Sequence, residues 1–121
     1  MLDLLFQKGL VIAPNAWNPE RDKILKNTTA MLHVHQWRGV RTVAPLRYAM
    51  AAAYGMALIA EQVEARDIFD GVVLFCEYDA MPDYVATMTR RWQAELKERG
   101  QALHELLCGD YSFRNCVERA L

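Results

Sequence analysis

Histidine, arginine and glutamate crowd one stretch of this 121-residue chain. His33 and His35 stand two apart, Arg38, Arg41 and Arg47 fall within ten residues, and Glu61 closes the apolar run that follows. Each residue type suggests a chemistry. The planar fork of arginine suits phosphate, and imidazole can serve as a general base near neutral pH. On a strand, two histidines two apart face the same side. Such a pair could begin a metal site, but no Cys, Asp or Glu stands nearby at ligand spacing, so no metal is expected. The plainer reading is a partly buried histidine satisfied by backbone or water. A glutamate at a strand end can accept hydrogen bonds from ribose hydroxyls or be an ordinary surface acid. Trp17 and Trp37 could stack on a base or sugar ring, or simply pack. Glu77 and Asp79 also follow an apolar run and read as capping or solvated acids.

These residues need a frame. Residues 30–61 read as strand, loop, helix and strand: a first strand over 31–35, a helix opened by Pro45 and ended by Gly55, and a return strand over 56–60. In such a unit, ligands bind beyond the carboxyl ends of the strands. A helix N-terminus there offers free N–H groups and a favourable dipole to an anion. Before the unit, residues 10–13 form an apolar run suited to a strand buried on both faces. Asn18, Pro19 and Glu20 form a helix start. After it come a polar stretch ending at Asp70-Gly71 and a strand over 72–76. A long helical stripe follows, through Val85, Met88, Trp92, Leu96, Leu103, Leu106 and Leu107, with Gly100 as its kink or break. Ser112 can cap a last short helix. The expected fold is a three-layer, Rossmann-like α/β domain over residues 1–121, with a small, mainly parallel four-stranded sheet and a long C-terminal helix.

Composition narrows the function classes. The net charge of −1 argues against a general nucleic-acid or membrane-surface binder. No apolar run approaches the ~20 residues needed to span a bilayer. Cys76, Cys108 and Cys116 make an odd count with no CxxC, which with no recognisable signal peptide implies reduced thiols in the cytoplasm. Nothing matches GxSxG, a P-loop or GxGxxG. The hydrophobic fraction of 53% is high, and the edge strands are as apolar as the middle ones. A partner is therefore expected at one edge, such as a second copy of the chain.

The order of several motifs resembles the nucleotide-sugar-binding lobe of GT-B-type glycosyltransferases. They are Trp17-Asn18-Pro19-Glu20-Arg21-Asp22, then Leu32-His33-Val34-His35, Pro45-Leu46-Arg47, Tyr54-Gly55-Met56 leading to Glu61, and Val73-Leu74-Phe75-Cys76-Glu77-Tyr78-Asp79. The likeness runs from about Gly9 to the C-terminus. It implies a donor site that includes His35, Arg47, Gly55 and Glu61; in that reading Arg41 also lines the site, and Trp17 and Trp37 are possible stacking residues. It implies a nucleoside-diphosphate sugar as donor, no cofactor, and an acceptor lobe supplied by another chain or by further sequence. Three positions depart from the pattern. Ala44 and Met50 stand where the family carries acids, and His33 replaces its strand asparagine. Those departures and the short length leave a second expectation open: a non-catalytic, dimerising interaction module derived from such a lobe.

Overall fold

The computed structural model describes residues 19–35, 39, 42, 43 and 45–120. The order is α1 (Pro19–Lys26), β1 (Ala30–His33), α2 (Pro45–Ala53), β2 (Ala57–Glu61), a 3-10 turn (Asp67–Phe69), β3 (Leu74–Cys76), α3 (Met81–Arg91), α4 (Gln93–His104), a π-helical turn (Glu105–Asp110) and α5 (Phe113–Ala120). The expected strands over 31–35, 56–60 and 72–76 are present, with ends moved by one or two residues. Among the described residues the sheet has three strands, all parallel, in the order β1-β2-β3. The fourth expected strand, over 10–13, lies outside the described residues.

Local chemistry explains the element ends. In α1, Glu20 and Asp22 sit in the first turn and Lys23 and Lys26 in the last, each sign opposite to the helix dipole it meets. Two side chains take up its last carbonyls: Asn27 Nδ2 donates to Lys23 O at 2.8 Å and Thr28 Oγ1 to Ile24 O at 2.7 Å. Pro45 opens α2 where its missing N–H costs nothing. Gly55 follows the end of that helix with φ +66°, a conformation open to glycine without a Cβ penalty. Tyr54 Oη donates to Asp22 Oδ1 at 2.6 Å and ties α2 to α1. Ser112 Oγ accepts the Asn115 N–H at 3.3 Å and caps α5 as expected.

β2 is the central strand, and Ala57, Leu58, Ile59 and Ala60 are all buried. Strand alternation sends the core to both faces. Ala57, Ile59, Leu74 and Cys76 pack with Met81, Val85 and Met88 of α3 and Leu96 of α4. Leu58 and Ala60 pack with Tyr48, Ala51 and Ala52 of α2 and Leu103 of α4. α4 therefore contributes to both clusters.

Two expectations for the long C-terminal helix are corrected. The helix breaks at Trp92, which has φ −120° and ψ +39°, and not at Gly100. Trp92 also leaves the apolar stripe and is 52% exposed, because the break turns it out between two buried residues, Met88 and Leu96. Gly100 lies inside α4 and is buried. A Cβ there would collide with the Gly55 carbonyl and lie 2.9 Å from Ala57 N and from Met56 C. Glycine at this position lets a helix backbone touch a strand backbone. At the far end of α4, His104 Nδ1 donates to the Ala52 carbonyl at 2.8 Å and ties α4 to α2. No described helix is long and apolar enough to cross a membrane.

Gly100→Ala should therefore lower stability by about 3 kcal/mol, since the colliding atoms are backbone and cannot yield cheaply. Gly109→Ala, where an added Cβ meets nothing within 4 Å, should stay within about 1 kcal/mol of the parent. Urea denaturation of the two variants beside the parent measures both.

Candidate functional site

The site forms where β1 and β2 end. Their register pairs His33 with Ala60, so Glu61 lies one step beyond, level with the chain leaving β1. Glu61 Oε2 accepts the backbone N–H of His35 at 2.8 Å. The same oxygen lies 3.6 Å from His35 Nδ1. One carboxylate thus binds the backbone of His35 and lies beside its ring. Beyond it, Thr42 and Ala65 form an isolated parallel bridge.

His33 and His35 do face the same side, as their spacing requires. Their ring centroids are 5.7 Å apart, and the His33 ring is 6.0 Å from that of Tyr48, edge to face. Tyr48 in turn meets Phe69 at 4.9 Å. A row of rings therefore runs from the end of β1 to the first turns of α2. Arg47, one residue earlier on α2, is exposed and close enough to His33 to act on its charge.

Burial sets the electrostatics. It is the largest influence lowering the His33 pKa, and the positive potentials of His35 and Arg47 push the same way against the weaker opposing pull of Glu61. Burial pushes the Tyr48 phenol up to about 12. It also raises the Cys76 thiol to about 11, with Glu77 and Glu61 adding to the shift. Cys76 is thus a packed, unreactive thiol, as its place in an apolar strand suggested. Two buried side-chain polar atoms have no hydrogen-bond partner among the described residues, His35 Nε2 and Tyr48 Oη. Both belong to this row of rings.

Of the residues expected at a donor site, His35 and Glu61 are in contact and Arg47 stands in the same neighbourhood. Gly55 does not join them. It precedes β2, roughly 13 Å or more from Glu61 along a strand of this rise. Its place is the turn after α2 and the contact with Gly100. Arg41, Trp17 and Trp37, and Arg38 with them, lie outside the described residues. Tyr48 was not among the expected site residues. Its signal was available, since a tyrosine next to Arg47 near the start of this helix brings a hydroxyl as well as a ring to the strand ends. Among the described residues, no group of three or more His, Cys, Asp or Glu side chains could hold a metal ion.

No family model, curated protein or solved structure matches the chain. The geometry at the ends of β1 and β2 is therefore the ground for a functional reading.

Removing the carboxylate should loosen this junction. Glu61→Ala is expected to cost about 2 kcal/mol, in the range for a hydrogen bond to a charged group, and Glu61→Gln about 1 kcal/mol because an acceptor remains. Chemical denaturation reads both. His33 also imposes a pH dependence. Its proton is disfavoured in the folded chain, so the unfolded chain binds more protons below the ordinary histidine value of 6.5. Stability should fall as the pH drops from 6.5 towards the lowered folded value, and His33→Gln should flatten that part of the profile. Thermal melts across the acid range give the slope.

Proposed function

We propose that this chain is the nucleotide-sugar-binding part of a GT-B-type glycosyltransferase, which transfers a sugar from a nucleoside-diphosphate donor. The observation that carries the reading is the joining of His35 and Glu61 at the carboxyl ends of adjacent parallel strands, with Arg47 in the first turn of the helix between them. In this reading the fold is three-layered and Rossmann-like, and residues 10–13 supply its fourth strand. The first-turn N–H groups of α2 and the Arg47 guanidinium meet the diphosphate. Arg41 adds a second guanidinium, and together they stabilise the departing nucleoside diphosphate as its charge develops. Glu61 uses its remaining acceptor capacity on a ribose hydroxyl. Trp17 and Trp37 stack on the base or sugar. The acceptor lobe comes from another chain or from further sequence.

A second reading is a non-catalytic, dimerising module built on the same fold. Two observations favour it. Ala44 and Met50 stand where acids would contact the donor. On α5, Cys116, Val117 and Ala120 share one face and are all exposed, an apolar stripe suited to a second copy of the chain.

Calorimetric titration with UDP, GDP and their sugar conjugates separates the two. The donor-lobe reading expects micromolar binding, weakened at least about tenfold by Arg47→Ala, which corresponds to about 1.4 kcal/mol. A folded, symmetric dimer that binds none of these compounds would leave the second reading standing.

A further inference from the structure

The site gathers positive charge around a histidine that solvent can reach. His33 ends β1, and its ring meets that of Tyr48, the fourth residue of α2, edge to face at 6.0 Å. The His35 ring lies 5.7 Å away on the same side. Arg47, one residue before Tyr48, is exposed and near enough to repel a proton on His33. His33 itself is only half-buried, so part of its surface is open to a solute. Among the described residues, the charged and titratable groups facing it are His35 from its own strand, Glu61 from β2, and Arg47 and Tyr48 from α2. Tyr48 stays neutral, because burial pushes its phenol up to about 12. Glu61 favours a proton on His33, but its pull is the weakest of these influences, and its carboxylate is already engaged by the His35 N–H. Burial, His35 and Arg47 together outweigh it, so in the empty site the His33 ring is neutral at pH 7. An anion at the first turn of α2 reverses this balance. It is attracted by Arg47 and by the free N–H groups of that turn, and its own charge favours a proton on the ring beside them.

We propose that the donor's diphosphate binds at the first turn of α2 together with one proton, which comes from solvent and settles on the His33 ring beside Arg47. This rests on the nucleotide-sugar reading and adds its regulation: donor affinity rises as the pH falls below neutrality. On the protein only an N–H bond forms, and the positive charge gained by the ring offsets part of the phosphate charge. Arg47 is the permanent cation of the site and His33 the conditional one. The coupling is reciprocal, so bound anion raises the proton occupancy of His33 as much as the proton raises anion affinity.

Two measurements on the full chain test this. The first needs no ligand. The chain has three histidines, His33, His35 and His104, so NMR can follow each through a pH titration. His33 should titrate below the ordinary value of 6.5, and Arg47→Ala, at an exposed position, should move its midpoint upwards. A His33 midpoint that this variant leaves unmoved would overturn the inference, because the two residues would then share no site. The second is calorimetry with UDP-glucose and with GDP-mannose, whose diphosphates do not themselves titrate between pH 5 and 8, in buffers of different ionisation enthalpy. Ligand should raise the His33 midpoint. Proton uptake should be largest near pH 6 and fade by pH 8, and affinity should climb by up to about tenfold per pH unit over the steepest part. His33→Gln should bind with no uptake and little pH dependence. Binding without uptake, or uptake with the His33 midpoint unmoved, would overturn the inference while leaving the donor-lobe reading intact. Binding of neither sugar nucleotide at any pH would remove that reading and this inference with it.

Discussion

The bond from the His35 N–H to the Glu61 carboxylate is what the site depends on. Parallel strands leave unpaired backbone groups at their ends, and here a side chain from one strand meets the backbone of the next. The bond spans 26 residues of sequence, so the register of β1 on β2 must be right before it can form. A slip by one residue would turn His33 and His35 to the opposite face, away from Tyr48 and Arg47. The buried faces of Leu58 and Ala60 on one side, and of Ala57 and Ile59 on the other, set the position of the polar groups beyond them.

Much of this frame can be read from residue patterns. The runs around 31–35, 56–60 and 72–76 are short, apolar and bounded by polar or turn residues, which is how strands buried on both faces look. Pro45 and Gly55 bracket α2 because their backbone limits act locally and need no tertiary context. The His33 and His35 alternation is also local, and it led directly to the ring pair. What pattern could not supply was tertiary. Trp92 fits the helical spacing of Val85, Met88 and Leu96, yet a bend in the backbone takes it out of the core. Gly100 looks like a helix breaker by propensity, but its backbone lies against that of Gly55 through Ala57, a constraint set by a segment more than forty residues away. Gly55 was read as part of a ligand site by resemblance, whereas the strand direction places it at the other end of β2. The fourth strand and the indole pair fall on residues outside those described, so the expectation for them carries into the proposal unchanged.

The site is also shaped by what it leaves unsatisfied. Buried polar atoms are nearly always paired in native proteins. Here His35 Nε2 and Tyr48 Oη belong to one row of rings at the strand ends, where the topology would place a ligand. An arrangement selected only for packing would favour phenylalanine at position 48, since the phenol adds a desolvation cost with no compensating bond. Polar atoms held in place ahead of binding reduce the reorganisation a ligand must drive.

The backbone contact of Gly100 with the turn after α2 bears on the order in which the chain can close. Strands β1, β2 and β3 can pair once residue 76 has been made, but the amino end of β2 stays uncovered until α4 lies across it. Leu96 on one side of that crossing and Leu103 on the other complete the two apolar clusters in the same docking event. A nascent chain emerging from the ribosome would hold a paired sheet with one face open and the other covered only in part, by α2, until some thirty further residues had followed. The last helical third of the molecule acts as the latch of the sheet, and the two faces are sealed together.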